Sequence, residues 1–154
     1  MGDCGASRFC RTLAPVLLVT IAATGCGSDE LNSSTATKLK ALATLYLDYA
    51  VAKRGQGPSS EQVLKNHMRS LPDFVLQMNG VGSEGIDAVF VSDRDQEPFV
   101  VLYGVTISGL SGTSAPLLAY EKTGKKGKRL VVFANTKVAH VDESQLPGLM
   151  SSKP

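Results

Sequence analysis

A chain of 154 residues with a formal net charge of +2 has room for one domain and carries too little positive charge to argue for a nucleic-acid partner. Aromatic residues make up 6% and tryptophan is absent, which leaves few rings on which bases could stack. The hydrophobic share of 43% is that of an ordinary folded domain, although part of it lies in a leader ahead of the fold.

In the leader, Arg8 and Arg11 precede an apolar run over residues 13–23. The run falls well short of the ~20 residues that a transmembrane helix needs, and small residues close it, so residues 1–25 read as a signal peptide. Ala23-Thr24-Gly25-Cys26 resembles the bacterial lipobox, in which small residues precede a cysteine that takes up lipid and becomes the new N-terminus. Ala23 stands where that motif more often has leucine. Cys4 and Cys10 lie in the leader, leaving Cys26 alone, and a lone exported cysteine calls for a partner or a modification. The resemblance implies lipid attachment at Cys26, detectable as palmitate incorporation. Each buried methylene contributes about 0.8 kcal/mol, so one acyl chain holds reversibly and several hold stably. The competing reading is a plain secretory leader cut nearby, with Cys26 an incidental thiol. The expected location is exported and membrane-anchored, facing the periplasm or the cell surface.

Residues 26–35 form a polar tether, short enough to keep the domain close to the membrane, and residues 36–150 make up a single domain. Ser34 or Thr35 can cap a helix running to about Lys53, with Leu39, Leu42, Ala43, Tyr46, Tyr49 and Ala50 on one apolar face. Lys53 and Arg54 suit the negative end of its dipole, and Gly55 and Gly57-Pro58 stop it. Ser59 and Gln62 have the spacing of a capping box for a second helix, whose Val63, Leu64, Met68 and Leu71 face inward until Pro72. Residues 73–78 add a short turn that ends at Asn79-Gly80-Val81-Gly82. Residues 88–91 and 99–103 read as two strands flanking the turn 92–98. Gly104 to Pro116, rich in Gly, Ser and Thr, is the longest loop and the place where mobility is expected.

Residues 117–141 hold the densest run of β-formers. The apolar runs 117–120 and 130–134 suit strands buried on both faces. Between them, Thr123-Gly124-Lys125-Lys126-Gly127-Lys128 carries two glycines that can take positive φ, which predicts a hairpin loop. Asn135-Thr136 predicts a second, tighter hairpin into residues 138–141. Asp142 and Gln145 have capping-box spacing for a terminal helix over residues 143–150, with Val141 stapled against Leu146. Pro147 then lies too far inside to be a first-turn proline and should cut that helix short. Helices followed by strands predict an α+β fold in which the long first helix packs on an antiparallel sheet of four to five strands.

The lipobox, the Leu/Ala/Tyr-rich helix, Ser92-Asp93-Arg94-Asp95, Pro98-Phe99-Val100-Val101, the Gly/Lys loop and Arg129-Leu130-Val131-Val132-Phe133-Ala134 leading into Val138-Ala139-His140-Val141 together resemble small secreted pilin-like proteins of bacteria. The resemblance covers roughly residues 36–146. It implies a pilin-like head carried on a lipid and brings no catalytic activity with it, and no cofactor is expected. Asn135-Thr136 stands where that family usually has Asp-Gly, and there is no prepilin cleavage site or long apolar assembly helix.

His67 and His140 fall in different elements without ligand spacing, which argues against zinc. Asp93, Asp95 and Glu97 alternate as at the start of a calcium loop, but the sixth-position glycine and twelfth-position glutamate are absent. The turn is therefore expected to be a solvated hairpin. Its alternatives are a calcium-stabilised, secretion-associated domain, or an envelope hydrolase with Asp93 and Asp95 as acids. Lys122, Lys125, Lys126, Lys128 and Arg129 make the hairpin loop basic. It serves either solubility or contact with lipid headgroups, envelope proteins or an anionic polymer. Ser111, Thr113 and Ser114 lack a His or Asp motif that would make a nucleophile, and Gly80-Val81-Gly82 has no strand before it, as a phosphate loop would require. The expectation is a lipid-anchored envelope protein that acts as a structural or interaction module.

Overall fold

The structure, a computed structural model, describes residues 30–107 and 115–151. The leader with Cys26 and the middle of the Gly104–Pro116 loop lie outside the described residues. Within them the architecture is α+β, with four α-helices and a four-stranded antiparallel sheet in the order β1-β2-β3-β4.

Helix α1, Ser34–Ala52, is capped by Ser33 and not by Ser34 or Thr35: Ser33 is extended and its hydroxyl accepts from the Ala36 N–H at 3.3 Å. Thr35 is thereby released into the interior, where it is fully buried. Leu39, Leu42, Ala43, Tyr46 and Ala50 are buried as their spacing predicts, and so are Ala36, Ala41 and Leu45. Burial spreads round the helix because the sheet packs on one side of it, while helix α2 and a 3-10 turn pack on another. At its end the Gly55 N–H bonds to Ala50 O at 2.7 Å and the Arg54 N–H to Val51 O at 3.3 Å, the pattern of a Schellman cap. Arg54 takes the left-handed position (φ 55) just ahead of Gly55 (φ 89).

Helix α2, Glu61–Ser70, is capped by Ser60, one residue after the expected Ser59, and buries Leu64 and Met68. Helix α3, Asp73–Met78, ends at Gly80, whose φ of 82 lets the Val81 N–H reach Leu76 O at 3.0 Å.

The two strands expected around the acidic turn are largely replaced. Residues 86–90 form a 3-10 turn, Ile86–Phe90, in place of a strand over residues 88–91. Val89 and Phe90 are neighbours and both are buried, whereas a strand would send them to opposite faces. Only the Val91–Pro98 bridge remains of that pairing. The expected strand over residues 99–103 shrinks to β1, Val100–Val101, because the chain turns away after Leu102.

Strands β2, Leu117–Tyr120, β3, Lys128–Phe133, and β4, Val138–Asp142, form the meander. Alternation along β3 sends Leu130 and Val132 toward α1 and Val131 to the opposite face. In β2 a bulge between Leu117 and Ala119 turns Leu118 and Ala119 to the α1 side together. The opposite face is closed by Leu146 and Leu149 of helix α4, Leu146–Ser151. That helix starts three residues later than expected. Asp142 accepts the Gln145 N–H in a turn, so Pro147 lies in the first helical turn, where it has no intrahelical donor to lose. The tight hairpin forms at Asn135-Thr136, with Thr136 as the left-handed residue (φ 61) and the Asn135 side chain accepting from Lys137 N–H at 3.1 Å.

Candidate functional site

Two segments that are far apart in sequence, the acidic turn 92–97 and the lysine hairpin 122–129, meet at one end of the sheet. Their junction is built on Glu121, the residue that follows β2. Its side chain is fully buried. Oε1 accepts from Ser92 Oγ at 3.1 Å and lies 3.4 Å from Arg94 Nε, while Oε2 accepts from the Leu130 N–H at 2.8 Å. The Arg94 side chain is only 9% exposed. This ion pair therefore closes the end of the core, and it is not a surface contact.

Asp95 joins the turn to the hairpin. Its Oδ1 accepts from the Glu97 N–H at 3.2 Å, and its Oδ2 from the Thr123 and Gly124 N–H groups at 3.2 and 2.9 Å. Burial pushes the Asp95 carboxyl up, but the hydrogen bonds from the Gly124, Glu97 and Thr123 N–H groups outweigh it, and the pKa lies below the ordinary 3.8. Asp93 joins the same turn to the first turn of α1. Its N–H donates to Thr35 Oγ1 at 3.1 Å and its carboxylate pairs with Lys38. The Lys38 ammonium holds the Asp93 carboxyl below 3.8 against a smaller effect of burial.

These carboxylates are acceptors of fixed donors, and a general acid needs the opposite shift. Asp95→Ala should cost about 1–3 kcal/mol at neutral pH, since it orphans three N–H donors. Both folded-state values are lowered, so the stabilisation is complete above the unfolded-chain value of 3.8 and is lost as pH falls below it. Urea unfolding as a function of pH should show that acid-side loss, with a shallower slope in Asp95→Ala.

The five basic residues of the hairpin divide into two groups. Lys122 pairs with Glu97 at 3.0 Å, and Arg129 pairs with Glu143 and donates to the Lys122 carbonyl. Lys125, Lys126 and Lys128 are exposed, and among the described residues no carboxylate lies within ion-pair distance of them. Their backbone is nonetheless fixed. Lys125 and Lys128 exchange N–H···O bonds at 2.9 and 3.1 Å, and Gly124, Lys126 and Gly127 take φ values of 73, 54 and 72.

The remaining sequence candidates lie elsewhere. His67 on α2 contacts Asp48 Oδ2 at 2.8 Å and meets Tyr49 edge-on, while His140 lies on β4 opposite Leu130. Among the described residues, no group of three or more His, Cys, Asp or Glu side chains is placed to hold a metal ion. Gly80-Val81-Gly82 is the cap of α3. Ser111, Thr113, Ser114 and Cys26 lie outside the described residues. A cleft of about 390 Å³ between Tyr103, Leu117 and Leu149 has Tyr103 as its one titratable wall group among the described residues, with its hydroxyl pKa pushed up by burial.

Sequence reasoning missed Glu121, Arg94 and Ser92. The available signal was a glutamate placed directly against a four-residue apolar strand. No protein-family model matches the chain, and no curated protein or solved structure shows a significant match to it.

Proposed function

We propose that the chain is a lipid-anchored envelope protein, attached through Cys26, whose α+β domain is a pilin-like head serving as a structural or interaction module. The observation that carries this reading is Ala23-Thr24-Gly25-Cys26 placed directly after an apolar run too short to span a bilayer. The domain offers a compatible surface. Its first helix begins eight residues after Cys26, and the end of the sheet nearest that start presents fixed lysines. Among the described residues no helix is long and apolar enough to cross a membrane. No chemical step is assigned to Asp93 or Asp95, whose oxygens are held by Lys38 and by backbone donors.

The test is metabolic labelling with palmitate together with the intact mass of the purified protein. Labelled wild type with the mass of a chain starting at an acylated Cys26, and no label in Cys26→Ser, is the expected result. An unmodified chain still beginning at Met1 would remove the reading.

A further inference from the structure

We infer that the lysine hairpin is the face on which the domain rests against an anionic membrane surface, so that the protein is held at two points and in one orientation. This rests on the lipid-anchor reading and deepens it. Three placements lead to it. The first is where the tether ends: a 3-10 turn, Glu30–Asn32, already packs on α1 and β4, α1 follows from Ser34, and Thr35 is bonded to Asp93. The second is the short path from there to the loop. Asp95, two residues on, holds the Thr123 and Gly124 N–H groups, so the start of the domain and the lysine hairpin share one end of the molecule. From Cys26 to Glu30, where the packed chain begins, the tether can span at most about 15 Å. An anchored domain therefore cannot lift that end far from the headgroups.

The third placement is charge. The acids of the turn and the hairpin already have partners: Asp93 with Lys38, which it shares with Glu84, Glu97 with Lys122, Glu121 with Arg94, Glu143 with Arg129, and Asp95 with backbone donors. Asp142 stands opposite Lys128 in the β3–β4 register and offsets one of the three remaining charges. Lys125 and Lys126 project at the tip of the hairpin, and its glycines and reciprocal hydrogen bonds fix that backbone before any partner arrives. A short tether holds its two ends at an effective concentration on the order of millimolar. A modest attraction to anionic headgroups is then enough to set orientation, where the same lysines on an untethered domain would bind only weakly. The occupant is a lipid surface because only the membrane is held within reach by the anchor itself.

The experiment uses the purified lipidated protein reconstituted in vesicles, with an environment-sensitive fluorophore at Lys126→Cys or at Lys137→Cys. Lys137 adjoins the β3–β4 turn, roughly 20 Å away along β3. Headgroup-attached quenchers should quench the probe at 126 several-fold more than the probe at 137 in equimolar phosphatidylglycerol–phosphatidylcholine vesicles. The difference should shrink several-fold in pure phosphatidylcholine, where only the tether acts, and also near 1 M salt, where the Debye length is about 3 Å. It should shrink likewise when Lys125→Glu and Lys128→Glu accompany the probe at 126. Equal quenching at both positions, or a preference undiminished in neutral vesicles, overturns the inference while leaving the anchor intact. An unlipidated mass removes the anchor, and the inference falls with it.

Discussion

Glu121→Ala is expected to cost about 3–5 kcal/mol, the range seen when one member of a buried ion pair is removed. The carboxylate is fully buried and serves Ser92 Oγ, Arg94 Nε and the Leu130 N–H. Its loss takes one counter-charge away from a guanidinium in the end of the core, and leaves a strand N–H without its acceptor. Neither is close enough to bulk water to recover full hydration. Glu121→Gln should cost less, because the amide oxygen can still accept from Leu130 or Ser92 while the charge is gone. The informative variant is the double Arg94→Met, Glu121→Leu, which removes both charges and replaces them with apolar groups. It should be more stable than Glu121→Ala alone, and the coupling measured in a double-mutant cycle by urea unfolding should be of order 1–3 kcal/mol. A Glu121→Ala protein within about 1 kcal/mol of wild type would mean that the pair does not hold the turn to the hairpin.

The same pair shows where sequence reading stops. The meander was legible because its signals are local. Apolar runs four to five residues long, Gly124 and Gly127 between the first two, and Asn135-Thr136 between the next two all act over a few bonds. The inward face of α1 was legible for the same reason, since Leu39, Leu42, Tyr46 and Ala50 recur at helical steps. Residues 86–90 were not legible. Ala-Val-Phe-Val has strand propensity, and what overrides it is the left-handed Gly85 (φ 87) together with the need to bury Val89 and Phe90 against α1 at once. Glu121 carried no reading of its own in the sequence, and Arg94 read as part of a solvated acidic turn. Their pairing depends on the register that brings a turn 27 positions upstream over the end of β2, and no short window contains it. The lysine hairpin was visible as a charge cluster. Which lysines are spent on Glu97, and which remain at the tip, became readable only once that register was known.

Gly57→Ala is expected to be as damaging as loss of the buried pair, for a reason that has nothing to do with backbone freedom. Segment 55–58 runs beside 104–107, with the Gly57 N–H on Val105 O at 3.0 Å, Gly104 N–H on Pro58 O at 2.8 Å and Ile107 N–H on Gly55 O at 2.7 Å. Tyr46 reaches from α1 into this seam. Its hydroxyl donates to Leu102 O at 3.0 Å and accepts from the Val105 N–H at 3.1 Å, and its ring is fully buried. A methyl on residue 57 would overlap that hydroxyl and come within 2.6 Å of the Val105 carbonyl oxygen. Either the tyrosine withdraws and gives up both hydrogen bonds, or the two backbone segments separate. Overpacking of about 1–3 kcal/mol, added to one or two lost buried hydrogen bonds, puts the cost at about 3–5 kcal/mol. In a Tyr46→Phe background the same substitution should cost less, because the nearest obstacle is gone, although the Val105 carbonyl and the ring carbon Cε1 at 2.7 Å still oppose it. Tyr46 also supplies an alkaline signature. Burial raises its hydroxyl pKa above 10.0, only partly countered by the Val105 hydrogen bond. That stabilisation is present below pH 10 and is lost as pH climbs toward the folded-state value. Thermal unfolding between pH 9 and 11 should therefore fall more steeply for wild type than for Tyr46→Phe. Equal costs of Gly57→Ala with and without the Tyr46 hydroxyl would show that the hydroxyl is not what opposes the methyl.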